Sequence, residues 1–212
     1  MIKKFKILGL ALLSTIVVSN FALADVNWKV SPSRTTVKFK VKHFVLMEVE
    51  GRFKNPEGLV TTANEEDFSH AYVEARVPVG TISTGNTDRD THLRQEVFFN
   101  SEKFPEMVFK SKNIVAKGSD EFAMEGNLTI RGVTKPVSFI VTFTGLKQSG
   151  DGKVRSKFVA KGAVNRYDFG LKWNELTEAG GMVVGDTVDI EMDVTLEKEN
   201  AAFASASTNS HN

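Results

Sequence analysis

The chain has 212 residues, with 27 basic and 26 acidic side chains, sixteen phenylalanines and no cysteine. Such a balance of charge gives no electrostatic basis for nucleic-acid binding. The missing cysteine excludes thiol catalysis, CxxC redox chemistry and thioether attachment of haem.

The first element is a secretory signal. Lys3, Lys4 and Lys6 precede an apolar run from Ile7 to Val18, and Ala22-Leu23-Ala24 follows as a small-x-small cleavage site. Residues 1–24 are therefore expected to be removed on export. The run is short for a membrane span, and no later apolar stretch is long enough to cross a bilayer as a helix. Cleavage takes three lysines and no acid, so the remainder is slightly acidic. It forms one domain, 25–198, whose stability rests on its core, followed by a disordered polar tail, 199–212, that includes Phe203 and His211.

Within the domain the dominant signal is alternation with period two, which makes strands with one dry face and one wet face. Trp28 to Val30 reads as a short opening strand. Longer strands are expected near 35–44, 47–54 and 70–82, with a shorter extended piece at Leu59 to Thr62. In Thr36 to His43, Val37, Phe39 and Val41 share one face and Lys38, Lys40 and Lys42 the other. From 106 onwards the chain meanders. Strands 106–116 and 121–131 join at Lys117-Gly118-Ser119-Asp120, and the next turn is Arg131-Gly132-Val133. Strands 135–146 and 153–164 join through Gly150-Asp151-Gly152, and a last strand spans 187–197. Short glycine-containing links make neighbours antiparallel. The fold class is all-β: an eight-stranded antiparallel barrel with one short helix in a long connection.

The inward phase is apolar: Val73, Ala75, Val77 and Val79, then Phe122, Met124, Leu128 and Ile130, then Val137, Phe139, Val141 and Phe143, then Phe158, Ala160 and Val164. Small residues at Gly51, Gly126, Gly145, Ala160 and Gly162 leave room among them. Phase alone leaves both a filled core and a cavity open.

Two connections, 83–105 and 166–186, exceed the usual length of strand links. The first predicts a helix capped by Thr87, with Asp90 at its third position paired to Arg94, and with Leu93 and Val97 packed inward. The second runs from Arg166-Tyr167-Asp168-Phe169-Gly170 through Gly180-Gly181 to Asp186 and reads as a lid, with an Arg166–Asp168 ion pair beneath it. His43 follows Val41 in the inward phase, so its ring needs either a backbone partner near the rim or the polar end of a ligand. Arg89, Asp90, His92 and Arg94 crowd the first connection without HxH, HExxH or HxxxH spacing. No metal site follows from them. Ser83, His92 and Asp90 make a triad only on paper, because no nucleophile-elbow glycines surround any serine. His70 opens a strand, and the glycosylation pattern Asn127-Leu128-Thr129 falls inside one.

The motifs taken together resemble a family. Thr36 to Phe44 and Val49-Glu50-Gly51-Arg52-Phe53 resemble the opening of the YceI-like exported bacterial proteins. The resemblance continues through Arg89 to Arg94, Phe98-Phe99-Asn100, Phe104-Pro105, Gly126 to Val137, Asn165 to Gly170 and Val184 to Val188. The blocks stand in family order and cover nearly all of 26–198.

The resemblance implies a lipocalin-like barrel in the periplasm with an elongated apolar cavity, binding polyisoprenoids or related amphiphiles, quinone-like ones included. The expected function is a binding or carrier protein, not an enzyme, whose ligand is the lipid itself, with no other cofactor, no metal and no nucleic-acid partner; a homodimer is left open. The tail would lie along Phe39, Val41, Phe53, Val77, Met124, Leu128, Phe139, Val141, Phe143, Phe158, Ile190 and Met192. The headgroup would meet His43, Arg89, Asp90, His92, Arg166 and Asp168, which match recurrent polar positions of the family. Two alternatives stand beside this: an enzyme acting on such a lipid through His43 or His92 as general base, and a stress-response structural protein with a filled barrel and a protein partner.

Overall fold

The computed structural model describes residues 25–43, 47–173 and 184–199. The expected signal segment and the tail beyond Glu199 lie outside them. The alternating segments form ten strands: β1 (Val26–Val30), β2 (Thr36–His43), β3 (Met47–Phe53), β4 (Glu57–Thr62), β5 (Tyr72–Pro78), β6 (Glu106–Ala116), β7 (Glu121–Ile130), β8 (Val133–Gln148), β9 (Val154–Asn165) and β10 (Val184–Lys198). One α-helix, α1 (Thr87–Arg94), lies in the first long connection.

Ten strands make an eight-stranded barrel because two staves are broken. β1 and β2 run end to end along one edge of β10, β1 opposite Leu196 to Lys198 and β2 opposite Val184 to Asp193. The break between them is a turn at Pro32–Arg34, where proline cannot donate to a ladder. β4 pairs with β1 and β3 with β2, and their break holds Asn55 in the left-handed region at φ 54. The remaining strands follow in sequence order from β4 to β10, every pairing is antiparallel, and the β1–β10 pairing closes the ring.

Local chemistry sets the ends of the elements. β5 starts at Tyr72 rather than at His70, because His70 turns the chain at φ 61, and it stops at Pro78 before a tight turn at Val79–Thr81. β7 and β8 meet through Arg131 and Gly132 at φ 52 and 74, the two positive values of a type I′ hairpin turn. The cap of α1 is Asn86, not Thr87: its Oδ1 accepts from the Arg89 N–H at 3.0 Å. Asp90 does not pair with Arg94. Its Oδ1 accepts from the Thr84 N–H at 2.8 Å and the Thr84 hydroxyl at 2.6 Å, while Arg94 reaches Gly80 O. Leu93 points inward, but Val97 is 49% exposed.

One end of the barrel is plugged. Trp28 is fully buried, donates from Nε1 to Thr62 Oγ1 at 3.0 Å, and packs on Phe68, which stacks in turn on Phe143 and meets Phe158 edge-on. An ionic clasp binds the strands at this end. Arg155 donates to Glu197 and Asp151, and Lys153 and Ser31 also donate to Glu197. Glu199 joins the same end through its N–H to Asn27 O and an ion pair with Lys29. Among the described residues no helix is long and apolar enough to cross a membrane.

The inward glycines do not leave empty space. A Cβ on Gly51 would come within 2.3 Å of the Phe39 ring; on Gly126, within 2.5 Å of the Phe109 ring; on Gly162, within 2.7 Å of the Phe139 ring. Each ring lies over the glycine of a neighbouring strand, flat against the wall. Gly145 serves a different purpose, sitting at φ 141 where the β8–β9 register shifts.

Candidate ligand-binding cavity

Because the aromatic rings lie along the wall, the middle of the barrel stays open. A cavity of ≈ 280 Å³ occupies it, lined from every stave: Phe39 and Val41 of β2, Phe53 of β3, Val60 of β4, Val77 of β5, Met107 and Phe109 of β6, Met124 and Leu128 of β7, Phe139 and Val141 of β8, Phe158 of β9, Ile190 and Met192 of β10. Among the described residues only Thr35, Lys38, Glu57 and Arg166 bring polar groups to its border. Lys38 turns its ammonium outward to Asp193 at 2.6 Å, and the Thr35 hydroxyl accepts from the Thr195 N–H.

Eleven of the twelve apolar side chains singled out from the sequence line this cavity. Phe143 does not. It sits beside the register shift of β8 and packs its ring 5.4 Å from Phe158 in the plugged end. Leu93, expected to pack inward, also lines it, and the sequence missed a further group, Phe98 and Phe99 from the first connection and Phe169 and Leu171 from the second. Their only signal was apolar residues inside otherwise polar connections, where no periodicity points the way.

The opposite end is the mouth, bounded by the end of β2 and the start of β3, the Arg131-Gly132 turn, the first long connection and the described ends of the second. The structure disperses the six polar residues expected there. His43, half-buried, ends β2 opposite Met47 and Val184. Arg89 is exposed and spends its guanidinium on Thr84, donating to Oγ1 at 2.8 Å and to the carbonyl at 3.0 Å. Asp90 is buried against the same threonine from the other side. Arg89 and Asp90 thus fix the approach to α1. His92 packs edge-on between Phe98 and Trp173, 5.2 Å from each ring centre, and Phe98 and Trp173 are 5.0 Å apart. That aromatic cluster joins the two connections. Asp90 is committed to Thr84.

Arg166 alone of the six borders the cavity, and it is 4% exposed. It does not pair with Asp168, which is exposed. Instead all five of its N–H groups are used. Nε donates to Gly185 O at 2.7 Å, Nη1 to Leu171 O at 2.5 Å and Trp173 O at 2.8 Å, and Nη2 to Val184 O at 3.1 Å and the Tyr167 hydroxyl at 3.0 Å. The guanidinium lies 4.3 Å over the Tyr167 ring. Burial pushes its pKa below the usual arginine value. Arg166 therefore ties the two ends of the second connection together beside the lumen. Among the described residues no group of three or more His, Asp or Glu side chains could hold a metal ion.

With this geometry in hand, comparison with known proteins is decisive. The model of the YceI-like domain matches residues 28–196. The chain belongs to the YceI-like family. A UPF0312 protein of Staphylococcus epidermidis is 32% identical over 165 residues, 77% of this chain and 93% of the relative, and one from Staphylococcus aureus is 29% identical over 166 residues. Among solved structures, the barrel is similar to BcnA of Burkholderia cenocepacia, with TM-score 0.66 and 20% identity over 78% of this chain and 98% of that one. It is also similar to the YceI protein of Campylobacter jejuni, with TM-score 0.62 and 25% identity over 75% and 90%. A polyisoprenoid-binding domain from Saccharophagus degradans aligns with TM-score 0.61 and 14% identity over 81% and 98%. At those identities, BcnA and the Saccharophagus domain speak for the fold; the YceI-like barrel is what all of them share.

Proposed function

We propose that this YceI-like protein is an exported binding or carrier protein that holds a long-chain isoprenoid or related amphiphile in its barrel, and that it is not an enzyme. The observation that carries the reading is the lumen: an apolar cavity of ≈ 280 Å³ contacted by side chains from every stave. The likeness to a polyisoprenoid-binding domain supports the ligand class. An apolar chain binds such a wall without polar help, since each buried methylene contributes about 0.8 kcal/mol. Ten methylenes give ~8 kcal/mol gross, on the scale of a micromolar complex before the cost of association.

The tail lies between Phe39, Met124, Val141, Ile190 and Met192, and the headgroup at the mouth near His43, His92 and Arg166. The cavity of ≈ 280 Å³ falls just below the usual span of ligand sites, about 300–1,000 Å³. A tail of many isoprene units therefore extends beyond the lumen or displaces the rings that lie on its wall. A filled barrel acting only through a protein partner fits less well, because such a core has no reason to leave this space.

Native mass spectrometry and organic extraction of protein purified from the exported fraction test the reading. The expected results are a lipid adduct on a chain beginning at Asp25 and a polyprenyl lipid or isoprenoid quinone in the extract. Protein that is lipid-free in repeated preparations, and takes up neither lipid when offered it, overturns the proposal.

A further inference from the structure

We propose that the ligand enters and leaves sideways, through the lower half of one barrel seam, between β3 and the connection 79–105, rather than along the axis of the mouth. The proposal rests on the lipid-binding reading above and asks how a water-insoluble chain reaches the lumen.

A hydrogen-bonded seam does not part easily, because every opened pair exposes donors and acceptors beside an apolar interior. The other seams are held by ladders, three of them with a register shift (β2–β10, β6–β7 and β8–β9); Thr187 to Glu197 of β10 pairs without interruption with Asn165 to Arg155 of β9. The stave formed by β3 and β4 differs along its length. β4 pairs with β5 from Glu57 to Thr61, but β5 ends at Pro78, and β3 is left at the end of the strand order. Among the described residues, Met47 to Gly51 make no backbone hydrogen bond on that outer edge. Among the described residues the seam is held by one backbone bridge, Arg52 N–H to Ser83 O and Ser83 N–H to Arg52 O, both 2.9 Å, and by the Thr81 hydroxyl, which accepts from Lys54 N–H at 2.9 Å and lies 3.0 Å from Lys54 O.

Side chains close what hydrogen bonds do not. Phe53 of β3 meets Phe99 of the connection edge-on at 5.8 Å and Phe39 at 5.5 Å, and all three rings border the cavity. Rings can swing aside where a ladder cannot. The axial route is obstructed differently, since Arg166 holds its part of the mouth with five hydrogen bonds. Along Met47 to Gly51 the seam opens without breaking a backbone hydrogen bond among the described residues.

The cysteine-free chain makes the test clean. Arg52 and Ser83 exchange both backbone hydrogen bonds, which sets their Cα atoms about 5.5 Å apart, within reach of a disulfide. The double variant Arg52→Cys/Ser83→Cys is loaded with a two-isoprene ubiquinone, and exchange into phosphatidylcholine vesicles is followed by tryptophan fluorescence, which the quinone quenches. Thr129→Cys/Thr134→Cys, across the β7–β8 ladder, is the control for general stiffening. Oxidation of the seam pair is expected to slow both uptake and release roughly tenfold or more, leaving affinity unchanged, with full recovery on reduction and no effect in the control. Phe99→Ala is expected to speed release. Wild-type exchange in the oxidised seam variant, or equal slowing in both variants, overturns the lateral route. Failure of the unmodified protein to bind the quinone or any other isoprenoid offered overturns the lipid reading itself, and the route with it.

Discussion

Ser156 is completely buried, and its hydroxyl has no hydrogen-bond partner. It stands on β9 opposite Leu196 of β10 and Leu146 of β8, near the plugged end, in a position where the alternation of β9 would otherwise place an apolar group. A buried hydroxyl that forms no bond costs about 1–3 kcal/mol of desolvation. Ser156→Ala removes that cost and leaves only a small void. The variant is expected to be more stable than the parent by about 1 kcal/mol in urea unfolding. A loss of stability of similar size would mean that the hydroxyl has a bound partner, such as an ordered water. Arg166 is the opposite case. It is an equally buried polar group, but every donor is used, and the same accounting that makes Ser156 dispensable makes Arg166 a fixed point of the mouth.

At the scale of elements, what could be read from the sequence depended on whether a residue obeyed a period. Strand faces are set by alternation, so Phe39, Met124, Phe139 and Ile190 could be placed on the lumen from phase alone, and the structure puts them there. Phe143 keeps the inward phase opposite Phe158 but lies in the plugged end against Phe68, because phase gives a residue's face and not its depth along the barrel. Phe98 and Phe99 escaped because a connection has no period, whereas Leu93, inside the predicted helix, was placed inward. The α1 cap moved from Thr87 to Asn86 because both residue types cap well and only tertiary contacts choose between them. The space at Gly51 and Gly126 was misread for a related reason: phase says where a glycine faces but not which neighbouring ring lies over it. Element-scale electrostatics yield a pH prediction at the plugged end. The Arg155 guanidinium and the Lys153 N–H hold Asp151 at about 2, and the Lys153 ammonium, with Arg155 and Ser31, holds Glu197 at about 2. Both groups are depressed from ordinary values of 3.8 and 4.5, so they bind protons more tightly in the unfolded chain. Their contribution is complete above about pH 4.5 and is lost as pH falls toward 2. Asp151 is half-exposed, so solvent screens its share and Glu197 supplies most of the slope. Arg155→Met is expected to flatten the fall in stability over this window and to cost on the order of 3 kcal/mol at pH 7, because it leaves Glu197 without one of its partners. An unchanged slope between pH 5 and 2.5 would show that the clasp does not couple to folding.

For the whole molecule, the open question is what the hollow is for, since closed barrels of this size fold equally well with a filled interior. A lumen maintained only by accident of packing should gain stability when filled; one maintained for a ligand should lose binding when filled, whatever happens to stability. Met124 separates the two outcomes. It lies on β7 facing the cavity, is 7% exposed, and is an unbranched side chain whose replacement by a larger one projects into the open space. Met124→Trp adds an aromatic body to that space. Small-to-large changes in packed cores cost ~1–3 kcal/mol, but here the added volume enters a void, so the expected change in stability lies at or below the bottom of that range, about 1 kcal/mol in either direction. Lipid uptake should fall at least about tenfold, because the occupied lumen no longer offers its apolar wall to the tail. Native mass spectrometry of the variant reads the loss of adduct, and denaturant unfolding shows that the fold survives. A stable Met124→Trp protein that still carries a full complement of lipid would move the binding site out of the barrel and onto its surface.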